Sequence, residues 1–207
     1  MRLRCVNGQS QGHGLEVTTI NDLIKGKNKK TIIFYGIIIF LSMLTALFAG
    51  IIKNTELTDI FVNIFCALIV SIAAITDFIK KIIPNAIVLT GMLFGIILII
   101  IKIFFAHQQI SAAVLYSVIG CAFSGGVFII CAIIVKNSVG MGDIKIFGML
   151  GFIYGFEKIF SILFFSLFTC AVCGIILLLS KKKNRKDTIA LAPFALIGLL
   201  TYFILGG

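Results

Sequence analysis

Seven apolar runs separated by short polar breaks organise this chain. They cover residues 31–52, 60–76, 84–105, 110–135, 144–156, 159–180 and 189–205. The breaks are Lys53-Asn54-Thr55-Glu56, Lys80-Lys81, His107-Gln108-Gln109, Lys136-Asn137-Ser138, Glu157-Lys158 and the basic stretch 181–187, the kind of polar punctuation that ends helices. A helix crosses the hydrocarbon core in about 20 apolar residues. The pattern therefore predicts an all-α fold, a polytopic membrane helix bundle with six to seven transmembrane helices. The fifth run is thin for a full span and holds Gly148, Gly151 and Gly155, which suits a tilted, re-entrant or tightly packed helix.

Composition agrees with this and excludes a soluble domain. The 207 residues are 60% hydrophobic and 13% charged, with a mean hydropathy of +1.16, more apolar surface than a globule of this size can hide. The net charge of +10 is explained by topology once the N-terminus is placed in the cytosol. Only Lys53, Lys102 and Lys158 then fall on the external side, and the other Lys and Arg residues, out of 18, face the cytosol, as the positive-inside rule requires. The N-in orientation is expected on that ground. No nucleic-acid partner is expected, because a short basic loop such as 181–186 is an ordinary anchor against anionic membrane lipid. Residues 1–30 lack an apolar core and end in Lys25, Lys27, Lys29 and Lys30; they read as a basic cytosolic tail, expected to be mobile, ahead of a membrane domain at 31–207.

No metal or other cofactor is expected. Of the cysteines, only Cys170 and Cys173 form a CxxC, whereas a structural zinc site needs a second pair or histidines at fixed spacing. His13 and His107 lie in polar segments away from the acids discussed next.

Six of the eight carboxylates sit in the tail, the external loops or the last basic loop, which leaves Asp77 and Asp143. Asp77 closes the second predicted helix in Ile75-Thr76-Asp77-Phe78, and Asp143 opens the fifth in Gly140-Met141-Gly142-Asp143-Ile144-Lys145. Both belong to cytosolic helix ends, at the same depth, where a bundle can bring them face to face. A close pair of carboxylates shares one proton. One then takes a proton from water while the other, protonated, polarises a scissile carbonyl. Gly140 and Gly142 permit backbone angles barred to other residues and the close approach of a strand or helix. The structural alternatives are plain: Asp77 as an ion-pair partner of Lys80 and Lys81, Asp143 as a helix N-cap, and Lys145 as a snorkelling interfacial lysine. Acids at membrane depth are nevertheless functional candidates by default.

These segments carry a resemblance. Asp77-Phe78-Ile79-Lys80-Lys81-Ile82-Ile83-Pro84-Asn85 resembles the D…IPN segment of type IV prepilin peptidases, and Gly140 to Lys145 resembles their GxGDxK segment. Leu44-Thr45-Ala46-Leu47-Phe48 is similar to the family's leucine-, threonine- and alanine-rich helix, and Ala192-Pro193-Phe194 to its APF segment. The likeness extends over about residues 31–205. It implies a membrane aspartic endopeptidase of the GxGD type, removing a short basic leader from prepilin-like or pseudopilin proteins at the cytosolic face of the cell membrane. The family's catalytic pair maps onto Asp77 and Asp143, with Pro84, Asn85, Gly140, Gly142 and Lys145 as supporting residues. Longer members begin with a helix and a loop bearing two CxxC pairs, which the tail replaces here. The chain looks more like the short members of tight-adherence pilus and archaeal preflagellin systems, and what the resemblance implies is the peptidase activity; the methylation of the long forms is not carried over with it.

Two other functions compete with this one. A presenilin-like intramembrane GxGD protease would carry a Tyr-Asp pair and a Pro-Ala-Leu motif, where this chain has Thr76-Asp77 and Ala192-Pro193-Phe194. A small proton- or ion-coupled transporter, or a secretion scaffold, would more often hold its acids near the bilayer midplane.

Overall fold

The computed structural model describes residues 29–53, 55–80, 83–105, 110–134, 140–179 and 191–205. The expected basic tail falls almost wholly outside these residues. Among them every regular element is helical: α1 (Lys29–Ile52), α2 (Leu57–Lys80), α3 (Asn85–Phe105), α4 (Ile110–Ile134), α5 (Met141–Leu179) and α6 (Ala192–Leu205). Four helices are long and apolar enough to cross a membrane, Ile33–Ile52, Leu57–Ile79, Val114–Ile133 and Met141–Ile176, and Asn85–Ile101 and Ala192–Leu205 are shorter apolar helices. The protein is a helical membrane bundle.

The fifth and sixth apolar runs join in α5, which is broken at Gly155, where φ is 71° and ψ −179°. The expected boundary at Glu157-Lys158 is therefore corrected by two residues. A positive φ with extended ψ is open essentially to glycine alone, so the chain turns where the side chain is missing and not where polarity rises. Glu157 and Lys158 instead begin the second limb of α5. The first limb is about 21 Å long at 1.5 Å per residue, and α6, with 14 residues, matches it.

The centre of the bundle is made by α2, α5 and α6, through Ala67, Val70, Phe147, Leu150, Ile162, Ala195 and Leu199, all buried. Large apolar side chains on the outer helices, such as Phe40, Leu93 and Ile133, are more than half exposed. In a soluble protein such patches would aggregate; here they are the face offered to lipid.

With the hydrophobic effect absent between helices in lipid, close packing and internal hydrogen bonds must hold the bundle. Both occur where α4 meets α5. A Cβ on Gly120 would overlap the Gly151 carbonyl oxygen, and a Cβ on Gly151 would overlap the Gly120 carbonyl oxygen, so the two backbones touch only because both residues are glycine. Beside them the Ser124 hydroxyl lies 2.8 Å from the Phe147 carbonyl and 2.8 Å from that of Gly120. Ser42 and Ser71 join α1 to α2 at 2.8 Å, and the Tyr154 hydroxyl donates to Asn63 Oδ1 at 2.9 Å, tying α5 to α2.

Gly120→Ala and Gly151→Ala are each expected to destabilise the bundle by about 1–3 kcal/mol, the usual cost of overpacking. Gly36→Ala, whose Cβ would meet nothing within 4 Å, is expected to be neutral or slightly stabilising. Thermal unfolding in detergent measures the contrast.

Candidate active site

The chain reverses direction between successive helices, so the end of α2 and the starts of α3, α5 and α6 gather at one end of the bundle. Asp77 lies one turn before the end of α2 and is buried, 7% exposed. Its Oδ2 accepts a hydrogen bond of 3.1 Å from the backbone N–H of Ala192, the first residue of α6. A helix start leaves its first N–H groups without intrahelical partners and carries a partial positive charge. Asp77 thus caps a helix that begins 115 residues further along the chain. The alternative reading of Asp77 as an ion-pair partner of Lys80 and Lys81 rests on side chains outside the described residues.

Asp143 occupies the first turn of α5. It is not the N-cap that sequence suggests. Gly140 holds that place, accepting from the Asp143 N–H at 3.0 Å and from the Ile144 N–H at 3.5 Å. The Asp143 side chain folds back to accept from the Gly140 N–H. This is the return half of a capping box, with a carboxylate three residues after the cap. The half-buried Asp143 carboxylate also feels the charge of Asp77, so the structure brings the two acids into electrostatic reach.

The supporting residues fall around this pair. Ile83 and Pro84 lead into α3, with the Pro84 carbonyl accepting from the Ile87 N–H at 3.2 Å. Asn85 begins α3, and its Oδ1 accepts from Lys145 Nζ at 2.8 Å, a contact that clamps the start of α3 to the start of α5. Lys145 is exposed, in keeping with an interfacial lysine, yet it has a definite partner. Neither Gly140 nor Gly142 has a positive φ; among the described residues Gly155 alone among the glycines does. What Gly142 supplies is room, since a Cβ there would come within 2.9 Å of the Ile83 side chain.

Between α3, α4 and α5 a cavity of about 700 Å³ runs from Asn85, Ile144 and Lys145 along Leu89 and Leu93 past Gly125 and Gly126. Its walls are almost wholly apolar. Two features were beyond sequence reasoning: the Asp77–Ala192 hydrogen bond and this groove. The nearest signal for the first was Pro193, which has no N–H of its own and favours the first turn of a helix. No group of three or more potential metal-ligating His, Cys, Asp or Glu side chains occurs among the described residues.

The fold and the paired acids define a polytopic helical membrane protein with a carboxylate pair at one end of its bundle. The chain belongs to the type IV leader peptidase family, whose model matches residues 64–175. That stretch contains both Asp77 and Asp143, while Ala192 lies beyond it. No curated protein and no solved structure matches the chain. The protein is accordingly a membrane peptidase of the leader peptidase type.

If the Ala192 N–H orients Asp77, Ala192→Pro should cost activity without unravelling α6, because proline is tolerated at the first helical position. A lost hydrogen bond to a charged group is worth about 1.5–3 kcal/mol, so kcat of the peptidase reaction is expected to fall by about 10- to 100-fold with helicity unchanged. Kinetics alongside circular dichroism checks it.

Proposed function

We propose that this peptidase is an aspartic endopeptidase that cleaves the basic leader from prepilin-like or pseudopilin proteins at the cytosolic face of the cell membrane, with Asp77 and Asp143 as its acid-base pair. The observation that carries the proposal is the convergence of the end of α2 and the start of α5, which sets one carboxylate in the field of the other. Two like acids in that relation cannot both ionise freely and titrate as a unit with one shared proton. The ionised member takes a proton from the attacking water, and the protonated member donates toward the scissile carbonyl.

The position at a helix end supports an interfacial cut. A leader rich in Lys and Arg stays in the cytosol under the bias that orients this chain, and the apolar helix behind it enters the bilayer. The scissile bond is then held where water is available and where backbone groups need not be buried unpaired. The apolar groove lined by Ile144 and Lys145, which follow Asp143 in α5, offers that substrate helix a wall. Pro84, Asn85, Gly140, Gly142 and Lys145 hold the two acid-bearing segments together in this scheme and do not themselves exchange protons.

Asp77→Asn and Asp143→Asn are each expected to lower leader cleavage by about 10² to 10⁴-fold, the usual weight of an acid or base, with membrane insertion intact. Wild-type cleavage by either variant would show that the pair is not catalytic. The pH profile should be bell-shaped, because rising pH strips the shared proton and falling pH protonates the base. For orientation, a cysteine in place of Glu56 is expected to react with an impermeant reagent applied to intact cells, and one in place of Lys183 is expected not to. Reaction at 183 would put the acid pair on the wrong side for a cytosolic leader.

A further inference from the structure

The end of the bundle opposite the acid pair carries a second polar site. A cavity of about 410 Å³ lies among the turn after α1, the start of α2, the second limb of α5 and the end of α6, and Lys53, Asp59, Asn63, Glu157, Lys158 and Tyr202 line it. Asp59 and Asp77 lie on the same helix about 27 Å apart at 1.5 Å per residue, so the two sites do not overlap.

Lys53 is the unusual member. A lysine at the end of a membrane helix normally lays its stem on apolar surface and lifts its ammonium into water. Here the arrangement is reversed: the residue as a whole is only partly buried, while Nζ is shielded from solvent and has no hydrogen-bond partner. The turn that holds it is fixed by the Lys53 N–H to Ala49 carbonyl bond at 3.1 Å and by Thr55, whose N–H and hydroxyl each reach the Gly50 carbonyl at 3.2 Å. A shielded ammonium without an acceptor is costly, so the site is built for an anion that comes from outside the chain.

The remaining charges narrow the ligand. Asp59 is engaged by Lys158 at 3.5 Å, whereas Glu157 is exposed and makes no ion pair among the described residues. Asn63 spends its carbonyl oxygen on Tyr154, which leaves its amide N–H groups as donors beside Lys53. One cation and one carboxylate thus share the cavity without pairing, and a ligand carrying both an anion and an ammonium complements them. At the same end of the bundle Ile52, Leu57 and Phe61 are each more than 60% exposed and meet the surrounding lipid. Lys53, Asp59, Glu157 and Lys158 all stand at helix ends or beside the Gly155 break on this side of the bundle, where the charged residues of a membrane protein meet the lipid headgroups. We propose that the cavity binds the headgroup of an ammonium-bearing phospholipid, with its phosphate on Lys53, its ammonium on Glu157 and its acyl chains in the surrounding bilayer.

The test is lipid retention by the full chain in nanodiscs, read by native mass spectrometry. Wild-type protein is expected to retain phosphatidylethanolamine about tenfold over phosphatidylcholine, whose quaternary ammonium cannot donate to Glu157, and Lys53→Met to lose about tenfold in retention, the effect of one charge-assisted contact. Glu157→Gln, an exposed position that leaves the fold intact, is expected to abolish the preference between the two lipids; Glu56→Gln, exposed at the same end, should change nothing. Equal retention by wild type and Lys53→Met, or a wild type without preference, would overturn the proposal. Competition by soluble glycerophosphoethanolamine at the same concentration as the lipid would overturn the lipid assignment in favour of a dissolved ligand.

Discussion

The hydrogen bond from the Ala192 N–H to Asp77 Oδ2 is the contact on which the acid end of the bundle depends. Ala192 is buried, so its N–H, among the first of α6, cannot be left to water and its partner has to come from the protein. Pro193 offers no N–H, which makes Ala192 the donor that matters at that turn. By meeting it, Asp77 fixes where α6 begins and so sets which of its residues reach the core. Ala195 and Leu199 are then buried, and Gly198 lies so close to α5 that a Cβ there would overlap the Ser166 hydroxyl.

The other acid depends on a different device. Asp143 is placed by the start of α5, and α5 is placed by three glycines, two within its first limb and one at the break that ends it. Gly142 makes room for Ile83 and thereby lets the segment after α2 approach the helix that bears Asp143. Gly151 allows contact with the α4 backbone at Gly120, and Gly155 turns the chain so that the second limb can pack against α6. Each position uses the absence of a side chain, and each would cost stability in an isolated helix. Here the cost is offset by packing that a Cβ would forbid, which is how helices associate when lipid is as apolar as leucine.

Much of this was legible in the sequence because the bilayer simplifies the problem. Apolar length alone reveals helices, and the seven runs correspond to six helices plus the break within α5. The two acids stood out because the other six carboxylates were assigned to the tail, the external side or the last basic loop. The boundary at Gly155 was missed since the polar pair Glu157-Lys158 is the louder signal, although polarity does not bend a helix and a positive φ does. The role of Asp143 was shifted by three positions because a carboxylate can serve a helix start either as the cap or by folding back onto it, and composition cannot separate these. The contact between Asp77 and Ala192 was out of reach, as nothing in either segment encodes the meeting of residues that far apart. The inward turn of Lys53 was hidden for the same reason, since lysine at a helix end ordinarily reads as an anchor.

Helix capping alone does not account for a carboxylate at position 77. Asparagine and aspartate cap helices about equally well, and a neutral amide avoids the desolvation penalty of a buried charge. Holding α6 in place therefore does not require an acid; an amide oxygen would accept the Ala192 N–H at lower cost. The nearness of a second carboxylate makes the cost larger, because each opposes ionisation of the other. Two acids are thus held at one end of a membrane bundle against both burial and mutual repulsion, one of them at position 77, where a neutral amide would also cap α6. That surplus cost fits the acid-base pair proposed for Asp77 and Asp143, since only groups that can gain and lose a proton cheaply, relative to each other, can pass one to and from a reacting water.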